Sequence, residues 1–213
     1  MSRIVAWVVA TAAILILVGA CFGPAIAGQQ FAYRDAAHFY YPLYEKVQTE
    51  WNAGRVPLWE TEENSGMPLL GNPTAAVLYP GKVIYALFPY HVAARVYIIA
   101  HTLLAFVGMY LLARGFQISQ TGALISGLSY AFGAPILFQY CNIIYLVGAA
   151  WVPWGIRAID RWLRLGRRTA IAELAVILAM QVLGGEPQAA YLEGLFAGLY
   201  AIQLGRVDRE KKS

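Results

Sequence analysis

Apolar and polar positions along the chain fall into blocks far longer than any turn. Runs with few or no charges occupy about 4–26, 91–113, 120–138, 143–160, 169–184 and 187–204, whereas a single polar and aromatic stretch fills 28–80. A helix needs roughly 20 apolar residues to cross a hydrocarbon core about 30 Å thick. The pattern therefore predicts about six transmembrane helices, the last four of them short. Gly122, Ala123, Gly127, Gly133, Gly148, Ala149, Ala150, Gly194 and Gly198 lie in those last runs, and such small residues let helices approach closely, as in a packed bundle. The expected fold class is all-α: one polytopic membrane module over 1–205, with the large outer loop 28–80 as its cap carrying interfacial helices, and a cytoplasmic tail over 206–213.

Within the cap, Pro42 suits the first turn of a helix and Gly54 suits its end. Leu43, Val47 and Trp51 recur every four positions between them, with Glu45, Lys46, Gln48, Thr49 and Asn52 on the remaining surface. That spacing predicts an amphipathic helix lying in the membrane interface, with packing on another protein surface as the alternative. From 55 to 80, four prolines with Gly66 and Gly71 exclude long regular structure. Leu58, Trp59, Met67, Leu69, Leu70, Val77, Leu78 and Tyr79 are nevertheless too apolar for a solvated coil, so the segment is expected to fold back over the helix ends. A short piece from Pro80 to Phe88 then runs along the surface to Pro89 and Tyr90, which open the second span.

Composition supports a membrane protein. Of 213 residues, 59% are hydrophobic and only 13% charged, about half the ~25% of soluble domains, and the mean hydropathy is +0.53. The net charge of +4 comes with no basic stripe interleaved with stacking aromatics, which argues against a nucleic-acid partner. If six helices alternate, Arg3, Arg114, Arg157, Arg161, Arg164, Arg167, Arg168, Arg206, Arg209, Lys211 and Lys212 all fall on one side. Positive charge gathers on cytoplasmic loops. The 28–80 stretch instead sets Arg34, Lys46 and Arg55 against Asp35, Glu45, Glu50, Glu60, Glu62 and Glu63, so it should face outward with both termini inside. Arg3, an apolar core and "AIAG" also admit a cleaved secretory leader, although the run exceeds the usual 7–15 residues of a signal core. Two cysteines imply no disulfide framework; Cys21 and Cys141 are expected near the same face, either bridged or as unpaired small side chains.

Ionisable side chains at membrane depth are costly and hence candidates for function. Arg95 and His101 fall on the second run, Glu173 near the inner end of the fifth, and Glu193 on the sixth. Arg95 reads equally as a snorkelling side chain and as a ligand, His101 as a hydrogen-bonded interhelical residue, and Glu173 as a salt-bridging one. Glu186 and Glu193 are seven apart, which places them on one helical face about 10 Å apart along the axis. Pro187 puts Glu186 at the helix mouth, with Gln188 beside it. Asp35 and His38, three apart, share a face of any helical turn. These polar groups, with Gln139, Tyr140 and Asn142, all fall on the outward side.

"YRDAAHFYYPLY", "AGRVPLWETEENSGMPLLGNPTAAVLYP" and "GGEPQAAY", in that order, resemble the N-terminal part of the bacterial YfhO-type membrane proteins, similar to polytopic glycosyltransferases of the GT-C superfamily. The resemblance covers roughly 30–90 and 184–191 in motif. It implies location in the bacterial inner membrane, a sugar donor on polyprenyl phosphate, an acceptor on the extracytoplasmic face, and a catalytic acidic residue just after the first helix, a position matched by Asp35. Family members are generally longer, and this neighbourhood holds one Asp where a tight acidic pair is usual, so a fragment or reduced paralogue is also open. The chemistry needs a base for the acceptor hydroxyl and cations for the leaving phosphate. Asp35 is the expected base, with Glu186 or His38 orienting the acceptor. Arg34, Arg55, Lys82 and Arg95 are the available cations. Tyr40, Tyr41 and Trp59 are offered as a sugar-stacking wall, and Asn72 and Gln188 as substrate contacts. The sequence fixes no cofactor, and a divalent metal held by Asp35, His38 and Glu186 stays open, although no tight ligand spacing such as H-E-x-x-H occurs. Two other classes compete: a non-enzymatic transporter or lipid-handling protein using Arg95, His101 and Glu193, and a partial module that assembles with another membrane protein.

Overall fold

A computed structural model describes residues 3–61 and 65–210, without the side chains of 3–7, 10 and 207–210. The side chains of Arg3, Glu62, Glu63, Arg209, Lys211 and Lys212, which entered the charge pattern, lie outside this description.

Helix α1 (Arg3–Ile26) leads into a layer that continues to residue 89. A π-helix (Ala36–Tyr40) runs directly into α2 (Tyr41–Asn52), followed by an antiparallel pair, β1 (Trp59–Glu60) and β2 (Met67–Pro68), by 3-10 turns at Pro73–Ala75 and Pro80–Lys82, and by α3 (Val83–Leu87). The bundle comprises α4 (Tyr90–Gly115), α5 (Gln120–Phe132), α6 (Ala134–Leu137) with a 3-10 turn (Phe138–Cys141), α7 (Ile143–Leu163), α8 (Thr169–Leu183) and α9 (Pro187–Glu210). α4 packs on α5 and α7, and α7 on α8 and α9.

Among the described residues α4 and α7 are long and apolar enough to cross a bilayer; α5 with α6 and its turn reach that length only when the pair, bent by 40°, is taken as one span. Six apolar runs thus yield two to three helices of spanning length. Gly133 in an extended conformation and Pro135 in the first turn of α6 break the third run. The Thr11–Ile26 part of α1 and α8 are apolar but shorter, and α9 interrupts its apolar face with Gln188, Glu193 and Gln203. Leu15 and Ile16 of α1, Val176 of α8, and Leu192, Leu195 and Leu199 of α9 stand exposed, an apolar exterior larger than water tolerates and suited to lipid.

The stripe of α2 is not laid on a membrane surface. Val47 is buried with Leu69, Ala75 and Val77, and Leu43 and Trp51 pack against the same cluster. The segment 69–77 has its own apolar side chains to bury and covers the stripe from within the chain. Gln48, expected on the open face, is buried as well: its Nε2 donates to the Tyr85 carbonyl and, at 2.8 Å, to that of Phe88. One amide thereby satisfies two carbonyls at the end of α3 and fixes α2 against it. The layer rests on the bundle through Tyr40, Tyr44, Ala76, Tyr79 and Tyr85, packed on Ala93, Ala94 and Tyr97 of α4 and on Ile143 and Val147 of α7. The two alanines leave room for the rings.

Candidate functional site at the junction of the cap and the bundle

The sequence "RDAAHFYYP" decides the local backbone. Pro42 has no N–H to return to the preceding turn, and the chain widens there into a π-helix closed by Tyr41 N–H to Ala36 O. In such a turn residues five apart, rather than three or four, come into register; π-turns of this kind recur at functional sites. Tyr40, five residues on, is brought within electrostatic reach of Asp35. Arg34 adopts the left-handed region with φ 54°, a conformation that costs an arginine energy and that turns the chain into the helix. Asp35 makes no capping hydrogen bond to the helix it begins, and both it and Arg34 are exposed.

The second carboxylate reaches the same phenol from the far end of the sequence. Glu186 precedes α9 and caps it, accepting from the Ala189 N–H. It is 8% exposed, and burial pushes its pKa above the ordinary carboxylate range despite that bond. Its Cβ and Cγ lie against Gly148 of α7, where any side chain would collide. Gly185 at φ 97° brings the backbone against the Pro73 carbonyl and Ile144, so the "GGEP" turn fits between the cap and α7 only because it has no side chains there. Tyr40 is buried, and its hydroxyl interacts with the Ile144 backbone and with the charges of Tyr145, Asp35 and Glu186; chiefly through burial, its pKa rises well above that of a free phenol. It therefore keeps its proton and remains a donor.

Around this point Asn72 and Pro187 line a mostly apolar hollow of about 290 Å³ with Leu70, Gly71, Val182 and Leu183. The Asn72 Oδ1 accepts from Thr74 N–H at 3.0 Å and caps the following turn, so this oxygen is committed to the fold. Gln188 is exposed on the first turn of α9. Arg95 donates to Ala25 O and His91 O, both at 2.8 Å, and ties the end of α1 to the start of α4. The Tyr41 phenol, pushed up to about 12 by burial, feels the Arg95 charge and the Phe31 backbone.

Other expected contributors are placed elsewhere. Lys82 is 1% exposed, its ammonium lying over the Tyr44 ring and 4.8 and 5.4 Å from the centroids of Tyr85 and Tyr97. Burial moves its pKa well below the usual lysine range. An amine enclosed by three rings cannot meet a phosphate outside, so it drops out as a substrate contact. Arg55 is held by both oxygens of Glu50, at 2.8 and 3.0 Å. Trp59 is exposed on the hairpin and, among the described residues, makes no ring contact with Tyr40 or Tyr41. Tyr40 is buried and packs edge-to-face with Phe39 and Tyr44. These three aromatics are thus not a stacking wall. Among the described residues no three His, Cys, Asp or Glu side chains form a metal site; Asp35, His38 and Glu186 do not converge as ligands. Cys21 and Cys141 are free.

Sequence reasoning missed two features. Trp151 Nε1 donates to Tyr79 Oη at 3.0 Å, Tyr79 Oη donates to His101 Nε2 at 2.7 Å, and His101 Nδ1 donates to Tyr97 O at 2.7 Å. This chain satisfies a neutral imidazole and joins the cap, α4 and α7. The other is a matched spacing: Gly148 and Gly155 on α7 face Glu186, just before α9, and Glu193 on α9. Both pairs are seven apart, a signal present in the sequence but readable only once the helices are known to be neighbours.

Comparison with protein-family models, with curated proteins and with solved structures finds no match.

Proposed function

We propose that this chain moves a sugar from a polyprenyl-phosphate donor to an acceptor on its capped, extracytoplasmic face, in the manner of the YfhO-type and GT-C proteins its motifs resemble. The observation that supports the reading is the buried Tyr40 phenol, which lies within electrostatic reach of both Asp35 and Glu186. Two carboxylates from opposite ends of the sequence thereby share one locality at the mouth of a helix. Asp35, exposed and uncommitted to capping, is the base that takes the acceptor hydroxyl's proton as the hydroxyl attacks the anomeric carbon and the carrier phosphate leaves. Glu186, buried and bonded to the α9 N-terminus, orients the acceptor through Tyr40. Arg34 is the cation next to the base, and among the described residues it has no ion-pair partner, which leaves it to meet the phosphate. Turnover of a polyprenyl-phosphate sugar by the reconstituted chain tests this. Asp35→Asn should lower it by about 10²–10⁴-fold without loss of membrane insertion; wild-type-like turnover in the variant would refute the assignment.

A second reading, ion or proton passage, draws on Glu193. Its Oε1 accepts from Gln181 Nε2 at 3.1 Å, while Glu193 Oε2 and Gln181 Oε1 are buried without a hydrogen-bond partner among the described residues. Glu193→Cys labelled alternately from both sides would favour passage. Labelling from the capped side alone would favour the surface site.

A further inference from the structure

The end of the bundle away from the cap carries a hollow of about 310 Å³ between the last turns of α4 and α7 and the turn that follows α7. Arg114, Arg157, Arg161 and Arg167 line it together with Leu111 and Leu165. Its one acidic lining residue, Asp160, is already spent: Arg164 donates to both of its oxygens at 2.8 Å and Tyr200 Oη donates to it at 2.7 Å. Glu173 accepts from one Nη1 each of Arg157, at 3.0 Å, and Arg161. That holds both guanidinium planes in place while each keeps further N–H donors. Arg114 gives one bond to Ile118 O, at 2.6 Å. Neither Arg114 nor Arg167 has a carboxylate partner among the described residues. Arg157 and Arg161 are therefore held in place before any ligand arrives, and Arg114 and Arg167 carry charges that no carboxylate among the described residues neutralises.

We propose that this hollow binds the phosphodiester headgroup of an anionic phospholipid. α4 is of bilayer-spanning length, so its last turn lies at headgroup depth. Basic pockets between helices at that level take acidic lipid heads. The leucines on the walls favour a phosphate that carries a glyceryl ester and acyl chains over a free ion, and the volume is near the lower limit for a small organic ligand. Guanidinium forks match phosphate oxygens in pairs.

The test follows the thermal midpoint of the purified full chain in uncharged detergent, titrated with short-chain phosphatidylglycerol, with phosphatidylcholine of the same chain length, and with inorganic phosphate. Phosphatidylglycerol should raise the midpoint saturably and the other two should not. Arg167→Gln, whose side chain makes no hydrogen bond among the described residues, should weaken that response about fivefold, and Arg114→Gln with Arg167→Gln more than tenfold. Arg168→Gln, outside the hollow, should leave it unchanged. An equal response to phosphatidylcholine overturns the proposal, as does an equal saturable response to inorganic phosphate, which would make the site one for a free anion. Equal weakening by Arg168→Gln also overturns it, since binding would then follow general charge.

Discussion

At the capped end of α7, Glu186 lies against Gly148 and Lys82 is closed in by Tyr44, Tyr85 and Tyr97, none of them in an ion pair among the described residues. At the other end, Asp160, Arg157, Arg161 and Arg164 are joined in ion pairs with one another and with Glu173, with side-chain exposures from 5% to 37%. The difference follows from what covers each end. Lys82, Tyr40 and Glu186 are buried there, held by aromatic faces and backbone groups, and their protonation shifts toward neutrality, whereas the ion pairs of the cap, Lys46 with Glu60 and Arg55 with Glu50, are made within the layer 28–89 itself. The opposite end has no such roof, and its charges stay solvated and paired. The first arrangement suits chemistry on a proton. The second suits holding an anion.

The comparison can be broken most forcefully through Lys82. Its folded pKa lies below the ordinary value near 10.5, so the unfolded chain binds a proton that the folded chain releases. Stability should therefore rise with pH up to that ordinary value and fall as pH is lowered toward the folded one, at up to ~1.4 kcal/mol per pH unit. Chemical denaturation between about pH 7 and 9.5, below the range where Tyr44 and Tyr85 would ionise in the unfolded chain, measures it. Lys82→Met should flatten the slope, and a slope kept in the variant would show that Lys82 is not its source. Gly148→Ala should cost about 1–3 kcal/mol by overpacking Glu186; unchanged stability would deny that contact its importance. At the solvated end, Glu173→Gln should cost only about 1 kcal/mol, and the loss should shrink in high salt. Arg55→Gln, which breaks a pair between the exposed Arg55 and a partly exposed Glu50, should leave the thermal midpoint nearly unmoved. A large drop would place cap stability in surface ion pairs and not in burial.

Much of the local plan is legible in the sequence because it depends on near neighbours. The mainly helical, apolar character is written in the long runs, the start of α2 in Pro42, its end in Gly54, which adopts φ 69°, and the position of Glu186 at a helix mouth in Pro187. Hydrophobic periodicity tells which face of a helix must be covered but not by what. Leu43, Val47 and Trp51 therefore read as facing a membrane, where the chain supplies Leu69, Ala75 and Val77. The same limit applied to charge: Lys82 and Arg55 looked like free cations until the fold closed aromatic rings over one and a glutamate over the other.

The sequence alone, through side-chain solubility and proline's missing N–H, determined which segments are helical and apolar and where the cap must turn. Only the tertiary structure decided that Tyr40 lies within electrostatic reach of both Asp35 and Glu186, that Gly148 and Gly155 face two glutamates, and that four arginines surround one hollow. Those relations join residues up to some 150 positions apart. They arise from how helices pack, which no local propensity encodes.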